Sequence, residues 1–148
     1  MSLELEERDK FRFFRLSKEE KGRIQEILRS LLLSHAEIVL AILYGSFLKE
    51  VPFRDIDIAV YVVDGKLDTI DYELNLIAEF EGKLGYKLDL KVLNDAPPWF
   101  VRMVLENGEV LFERIPLLSE KLYLKSIDEQ FLIRRYSMDP YLSGNQEK

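Results

Sequence analysis

Residues 43–62 read LYGSFLKEVPFRDIDIAVYV, and the organisation of the chain follows from how this stretch divides. An apolar strand beginning near Ile38 ends in Tyr44-Gly45-Ser46, and a short polar connection covers residues 47–54. A second strand opens with Asp55-Ile56-Asp57 and continues as Ile58, Ala59, Val60, Tyr61, Val62 and Val63. Carboxylates are disfavoured in strands and rarely buried without a partner. Their spacing here supplies a reason for them. Side chains at i and i+2 share a strand face, so Asp55 and Asp57 project together while Ile56 and Ile58 point the other way. Carboxylates held this close resist joint ionisation unless a cation sits between them. Hard oxygen donors of this kind suit Mg²⁺, or Mn²⁺ in its place, with substrate phosphates completing the shell. At Gly45-Ser46 the missing side chain lets backbone approach a ligand, and a helix start offers free N–H groups to a phosphate. The stretch therefore reads as a phosphate cradle facing a metal site.

These residues resemble the minimal nucleotidyltransferase domain of the DNA polymerase β superfamily. Its signature is an apolar residue, Gly-Ser, a loop, then Asp-apolar-Asp-apolar, here Tyr44-Gly45-Ser46 and Asp55-Ile56-Asp57-Ile58. The family has a third carboxylate on a later strand, and Asp89 within Tyr86-Lys87-Leu88-Asp89-Leu90-Lys91-Val92 is in the matching place. The resemblance spans about residues 17–114. It implies that Asp55, Asp57 and Asp89 are catalytic and hold the metal, and that Gly45 and Ser46 grip the phosphates of ATP or another nucleoside triphosphate. It also implies a partner, because small proteins of this type act as antitoxins beside an all-helical HEPN-type toxin, in some cases by transferring AMP to it. The chain departs from the family in one place. The connection after Gly-Ser is short and lacks the usual Arg. Lys49, in the first turn after Ser46, is the expected replacement, with Arg54 the alternative. Lys brings a point charge without the guanidinium fork.

At 148 residues the chain is read as one domain, with its core at about 17–114 and a C-terminal helix and tail over 115–148. A composition of 47% hydrophobic and 32% charged residues describes a soluble globular protein. The absence of cysteine excludes disulfides and thiolate metal sites and fits a cytoplasmic location. No apolar run reaches the roughly 18 residues of a membrane span. A net charge of −6 argues against general nucleic-acid binding.

Along the rest of the chain, the charged residues 1–10 read as a frayed start. The aromatic residues of Phe11-Arg12-Phe13-Phe14-Arg15 read as an arm tucked against the core. Ser17 with Glu20 forms a capping box for a first helix whose buried stripe is Ile24, Ile27, Leu28, Leu31 and Leu32. His35, the only histidine, lies near its end and reads as structural. Asp64-Gly65-Lys66 makes a turn. Asp68 then caps a helix running to Leu84, with Ile70, Leu74, Ile77 and Phe80 inward, Asp71, Glu73, Glu79 and Glu81 solvated, and Gly85 as the stop. Pro97-Pro98 opens a helix closed by Asn107-Gly108, with Trp99 read as packing. A short strand over 109–112 follows. A last helix over about 118–136, in which Leu122, Ile127, Phe131 and Ile133 form no single stripe, is as ready to dock on a partner or a second copy as on its own sheet. Residues 139–148 read as a tail. The alternation of helices and strands predicts an α/β (α+β) architecture, a small mixed sheet covered by helices.

Three functions remain open at this point. One is an Mg²⁺-dependent transferase moving a nucleoside monophosphate to a hydroxyl on a partner protein. The second is a nucleotide-binding module that neutralises a partner without efficient transfer, favoured by the short loop. The third is a small-molecule transferase of the aminoglycoside type.

Overall fold

The computed structural model describes residues 12–63 and 66–138, with side chains as far as residue 129. Residues 1–11 and 139–148, the turn at Asp64-Gly65 and the side chains of Phe131 and Ile133 lie outside the described residues. The elements in chain order are α1 (Lys18–Leu33), β1 (Ile38–Tyr44), β2 (Asp55–Val62), α2 (Thr69–Leu84), β3 (Lys87–Val92), α3 (Pro98–Asn107), β4 (Glu109–Glu113) and α4 (Leu118–Met138). A single 3₁₀ turn, Ser46–Leu48, interrupts the connection between β1 and β2.

The strands form one mixed sheet in the order β3-β2-β1-β4. β1 pairs antiparallel with both β2 and β4, whereas β2 and β3 are parallel. A parallel pair needs a crossover, and α2 supplies it. The punctuation of α2 is written in its sequence. Asp68 accepts the Asp71 amide at its start, and Gly85 ends it in the left-handed region at φ 81°. At α1 the capping box of Ser17 and Glu20 is complete in both directions.

The two sheet faces bury different helices. One face carries Ile56, Ile58, Val60 and Val62 of β2 with Leu88 and Leu90 of β3, packed on Ile24, Leu28 and Leu32 of α1 and on Leu76 and Phe80 of α2. Each such side chain contributes about 1.5–3 kcal/mol on removal from water. The other face carries Ile42, Tyr44 and Ala59 under Val101 and Val104 of α3, with Leu118 and Leu122 of α4 packed beside them. α4 therefore docks on its own domain along its first turns. There the Tyr123 hydroxyl donates to Glu106 at 2.7 Å, and the buried Ser126 hydroxyl donates to the Tyr123 carbonyl at 2.6 Å.

Several readings change. Ile70 and Leu74 are 67% and 60% exposed, whereas Phe80 is buried and Ile77 packs on the core as expected, joined by buried Leu76 with Tyr72 and Leu84 alongside. The helix contains two apolar rows of i, i+4 spacing, and only docking on the sheet chose between them. On α1, Ile27 is likewise outward. Phe14 does tuck inward, bridging to Phe53 and meeting the rings of Phe53 and Tyr86, but Phe13 is exposed. Trp99 is 58% exposed and meets only the edge of Phe100 among the described rings. His35 is structural, its ring nitrogens 3.4 Å from Glu37 and 3.1 Å from Glu79 and its ring against Phe80.

Candidate active site

Strand register brings the sequence-predicted residues to one place. Asp57 is the direct partner of Tyr44 across β1 and β2, and of Asp89 across β2 and β3. Partners in register share a face, so Asp57, Asp89 and, two residues back, Asp55 project to the side that carries Tyr44 and Ala59. There α3 and α4 cover the β1 end, and the carboxylates lie at the edge of that cover.

Gly45 holds φ 83° and ψ −161°, a conformation essentially restricted to glycine. A Cβ at Gly45 would run into the Asp57 carboxylate. The turn backbone and the central carboxylate are thus directly apposed. Ser46 then opens the 3₁₀ turn, closed by Leu48 N–H to the Gly45 carbonyl at 3.2 Å and Lys49 N–H to the Ser46 carbonyl at 3.0 Å. Phe47, fully buried against Phe53, pins the turn to the core. Lys21 of α1 pins it from outside. Its ammonium donates to the Lys49 carbonyl at 2.8 Å and lies 5.4 Å and 5.5 Å from the ring centroids of Phe47 and Phe53. Lys49 itself is the exposed residue that ends the turn.

Charge is arranged unevenly among the carboxylates. Arg54 lies 3.7 Å from Asp55 and Lys91 lies 3.6 Å from Asp89. Asp57, between them, has no such cation among the described residues. Burial, then the neighbouring charges of Asp89 and Asp55, push its carboxyl up to about 6. Burial first, then Asp57, Asp89 and Glu73, also pushes the Tyr44 hydroxyl up. Glu73 of α2, read from sequence as solvated, is partly buried here. Burial raises its pKa against the lowering effect of Lys91 and the Val92 backbone. Among the described residues no three His, Cys, Asp or Glu side chains form a ready metal cage. The outer two carboxylates are instead engaged by Arg54 and Lys91.

The site residues that sequence reasoning missed are those brought in by other elements. Lys21 sits 28 positions from the carbonyl it holds. Glu73 reaches the site only because α2 lies along β3. Lys91 was legible as a residue sharing the face of Asp89, two positions away.

This is the arrangement of a nucleotidyltransferase domain, and the comparisons agree. Residues 23–116 match the family described as Polymerase beta, Nucleotidyltransferase, and the chain belongs to that family. Among solved structures it is similar to a chain in the complex of the tri-AMPylated Shewanella oneidensis HEPN toxin with its MNT antitoxin. That match has 25% identity and a TM-score of 0.64 over 79% of this chain and 92% of that one. It is also similar to a chain of a toxin–antitoxin complex with AMP-PNP, at 26% identity and TM-score 0.65 over 76% of this chain and 92% of that one. The MntA–HepT toxin–antitoxin structure, at 24% identity and TM-score 0.63, shares the fold. No curated protein matches the sequence.

Proposed function

We propose that this protein is a divalent-metal-dependent nucleotidyltransferase that moves AMP from ATP to a hydroxyl of a HEPN-type toxin, as its antitoxin. One observation carries the reading: the glycine turn abuts Asp57, and Asp57 stands in register beside Asp89. A phosphate grip and paired carboxylates so joined match the demands of phosphoryl-group displacement, which rests on positioning and charge neutralisation. The similarity to chains of toxin–antitoxin complexes supports the choice of partner.

The donor set fits Mg²⁺ or Mn²⁺. Asp55, Asp57 and Asp89 offer hard oxygens; burial raises Asp57 first, and the repulsion from Asp89 and Asp55 that adds to it is what a cation relieves. When bound, the metal neutralises charge on the phosphates and on the displaced oxygen. The chain's own residues do the rest. Gly45 and Ser46 admit the outer phosphates against backbone, and Lys49 supplies them with positive charge. Asp89 accepts a hydrogen bond from the acceptor hydroxyl and helps draw off its proton. The hydroxyl oxygen bonds to the α-phosphorus as the bond to the bridging oxygen breaks, and pyrophosphate leaves. The protein works in the cytoplasm beside its toxin. No described helix is long and apolar enough to cross a membrane.

The second reading, a nucleotide-binding module that neutralises without transfer, is favoured by the short connection, whose one helical turn is Ser46–Leu48 and which lacks the family's Arg after Gly-Ser. Incubation with Mg²⁺, α-labelled ATP and the helical protein encoded beside it separates the two. Label on the partner is expected. Tight ATP binding with an unlabelled but neutralised partner would leave the module.

A further inference from the structure

A pocket of about 310 Å³ lies where α2 ends and β3 begins. Its walls come from four parts of the chain. Arg12 and Phe14 precede α1, Arg54 precedes β2, Glu81 belongs to the last turn of α2, and Tyr86 and Lys87 lead into β3. The Phe14 and Tyr86 rings meet edge to face at 5.0 Å, and the Arg12 guanidinium lies 5.0 Å from the centroid of the Phe14 ring. Among the described residues, none from Gly45 to Phe53 lines the pocket, so it is separate from the Gly45-Ser46 turn.

The pocket is basic in an acidic protein. Arg12, Arg54 and Lys87 face one carboxylate, Glu81, although the whole chain carries a net charge of −6. Glu81 is drawn aside toward the Leu88 amide, 3.5 Å away. Cations gathered from separate segments repel one another unless an anion sits among them. Two guanidinium forks and an ammonium suit a phosphate, because each fork can reach two oxygens and the group brings up to two negative charges. The rings offer the rest of such a ligand an apolar wall. Two of the cations also stand beside a proposed metal ligand. Arg54 lies 3.7 Å from Asp55, and Lys87 is the register partner of Asp55 across β2 and β3. A phosphate in the pocket draws both cations away from Asp55 and leaves its charge for a metal ion. A metal ion on Asp55 conversely releases them to the phosphate, and linkage makes the two effects equal.

We infer that this pocket binds a small phosphate monoester, with its phosphate among Arg12, Arg54 and Lys87 and its apolar body on Phe14 and Tyr86, and that its occupancy tightens metal binding at Asp55. The pocket needs no part of the transferase reading. The coupling rests on that reading, through Asp55 as a metal ligand. The monoester is neither the nucleotide nor the acceptor, and it is bound unchanged.

Phenyl phosphate is the probe. The full-length protein is titrated calorimetrically without metal, a state in which Asp55, Asp57 and Asp89 keep anions from the catalytic face. Binding is expected, weaker for inorganic phosphate and absent for phenol. Lys87→Met and Arg12→Met are each expected to lower the affinity roughly tenfold, and Gly45→Val to leave it unchanged. No binding of phenyl phosphate overturns the proposal, as does parental affinity in both Lys87→Met and Arg12→Met. Loss of binding in Gly45→Val also overturns it, by moving the phosphate to the turn. Mn²⁺ binding, followed by electron paramagnetic resonance, is expected to tighten about fivefold with saturating phenyl phosphate in the parent and to stay unchanged in Lys87→Met. Unchanged Mn²⁺ affinity in the parent overturns the coupling. If the parent binds no Mn²⁺, the metal-dependent transferase reading fails by itself, and the metal-free titration still decides the pocket.

Discussion

The two faces of the sheet are built from the same strands and do opposite work. On the face under α1 and α2, β2 contributes Ile56, Ile58 and Val60, all fully buried, and the contact is apolar from end to end. On the other face the same strand contributes Asp55 and Asp57, and apolar cover by α3 and α4 stops at Tyr44 and Ala59. The alternation of side chains along a strand lets one segment serve as core and site at once. Stability is concentrated on the first face, and the second carries the repulsion of Asp57 by Asp89 and Asp55. Sites of this kind are commonly the locally less favourable part of a fold.

The comparison can be broken most severely at the first face. Phe80→Ala removes a fully buried ring between α2 and the sheet and is expected to cost about 3–5 kcal/mol. Urea unfolding checks it, and a loss below 1 kcal/mol would mean the α2 face is not core.

Gly45→Val acts on the other face. The backbone at φ 83° and ψ −161° admits a branched side chain only at a cost of about 1–3 kcal/mol. The added atoms also displace the Asp57 carboxylate. ATP binding by calorimetry is expected to vanish while circular dichroism still shows a folded protein. Unchanged affinity would reduce the turn to an ordinary one.

Lys49→Met tests whether the short connection still grips a triphosphate. A charge-assisted contact is worth about 1.5–3 kcal/mol, so ATP affinity is expected to fall roughly ten- to a hundredfold with AMP affinity unchanged. Arg54→Met, which removes the partner of Asp55, is expected to lack that selectivity. If both variants bind ATP as the parent does, no dedicated triphosphate grip exists and the binding module gains.

Asp57→Asn sharpens the contrast by raising stability in metal-free protein. The folded state holds the Asp57 proton up to about pH 6, whereas the unfolded value is near 3.8. The folded state binds more protons between those values, so parent stability falls as pH rises through that window. The penalty is absent below about pH 4 and fully present at pH 7. After solvent screening it amounts to about 1–2 kcal/mol. Melting temperatures without metal should therefore diverge in favour of the Asn variant from pH 4 to 7, and Mg²⁺ with ATP should raise only the parent. A variant less stable at pH 7 would make Asp57 structural. The smallest effect belongs to Leu74→Ala, on the same helix as Phe80 but 60% exposed, with a change within about 0.5 kcal/mol.

Much of the fold was legible in the chain because local signals bounded each element. Ser17, Asp68, Gly85 and Pro98 mark helix ends by capping chemistry that needs no distant partner. The pairing of Asp55 with Asp57 on one face follows from strand periodicity alone. Periodicity held on α2 for Ile77 and Phe80 and failed for Ile70 and Leu74, because only docking could choose the row of Leu76 over theirs. Trp99, read as packing, is instead 58% exposed, because only the placement of the start of α3 decides what its ring meets.

By itself the sequence determined which residue types were available for the chemistry: glycine at the turn, two carboxylates two residues apart and a third on a later strand. It did so because backbone conformation and strand alternation are local properties. The tertiary structure decided which of these meet. Strand register set Asp57 beside Asp89 and against Gly45, α1 brought Lys21 to the turn, and the end of α2 closed a pocket with Arg12 and Arg54. Those relations join residues far apart in the chain, and no local preference encodes them.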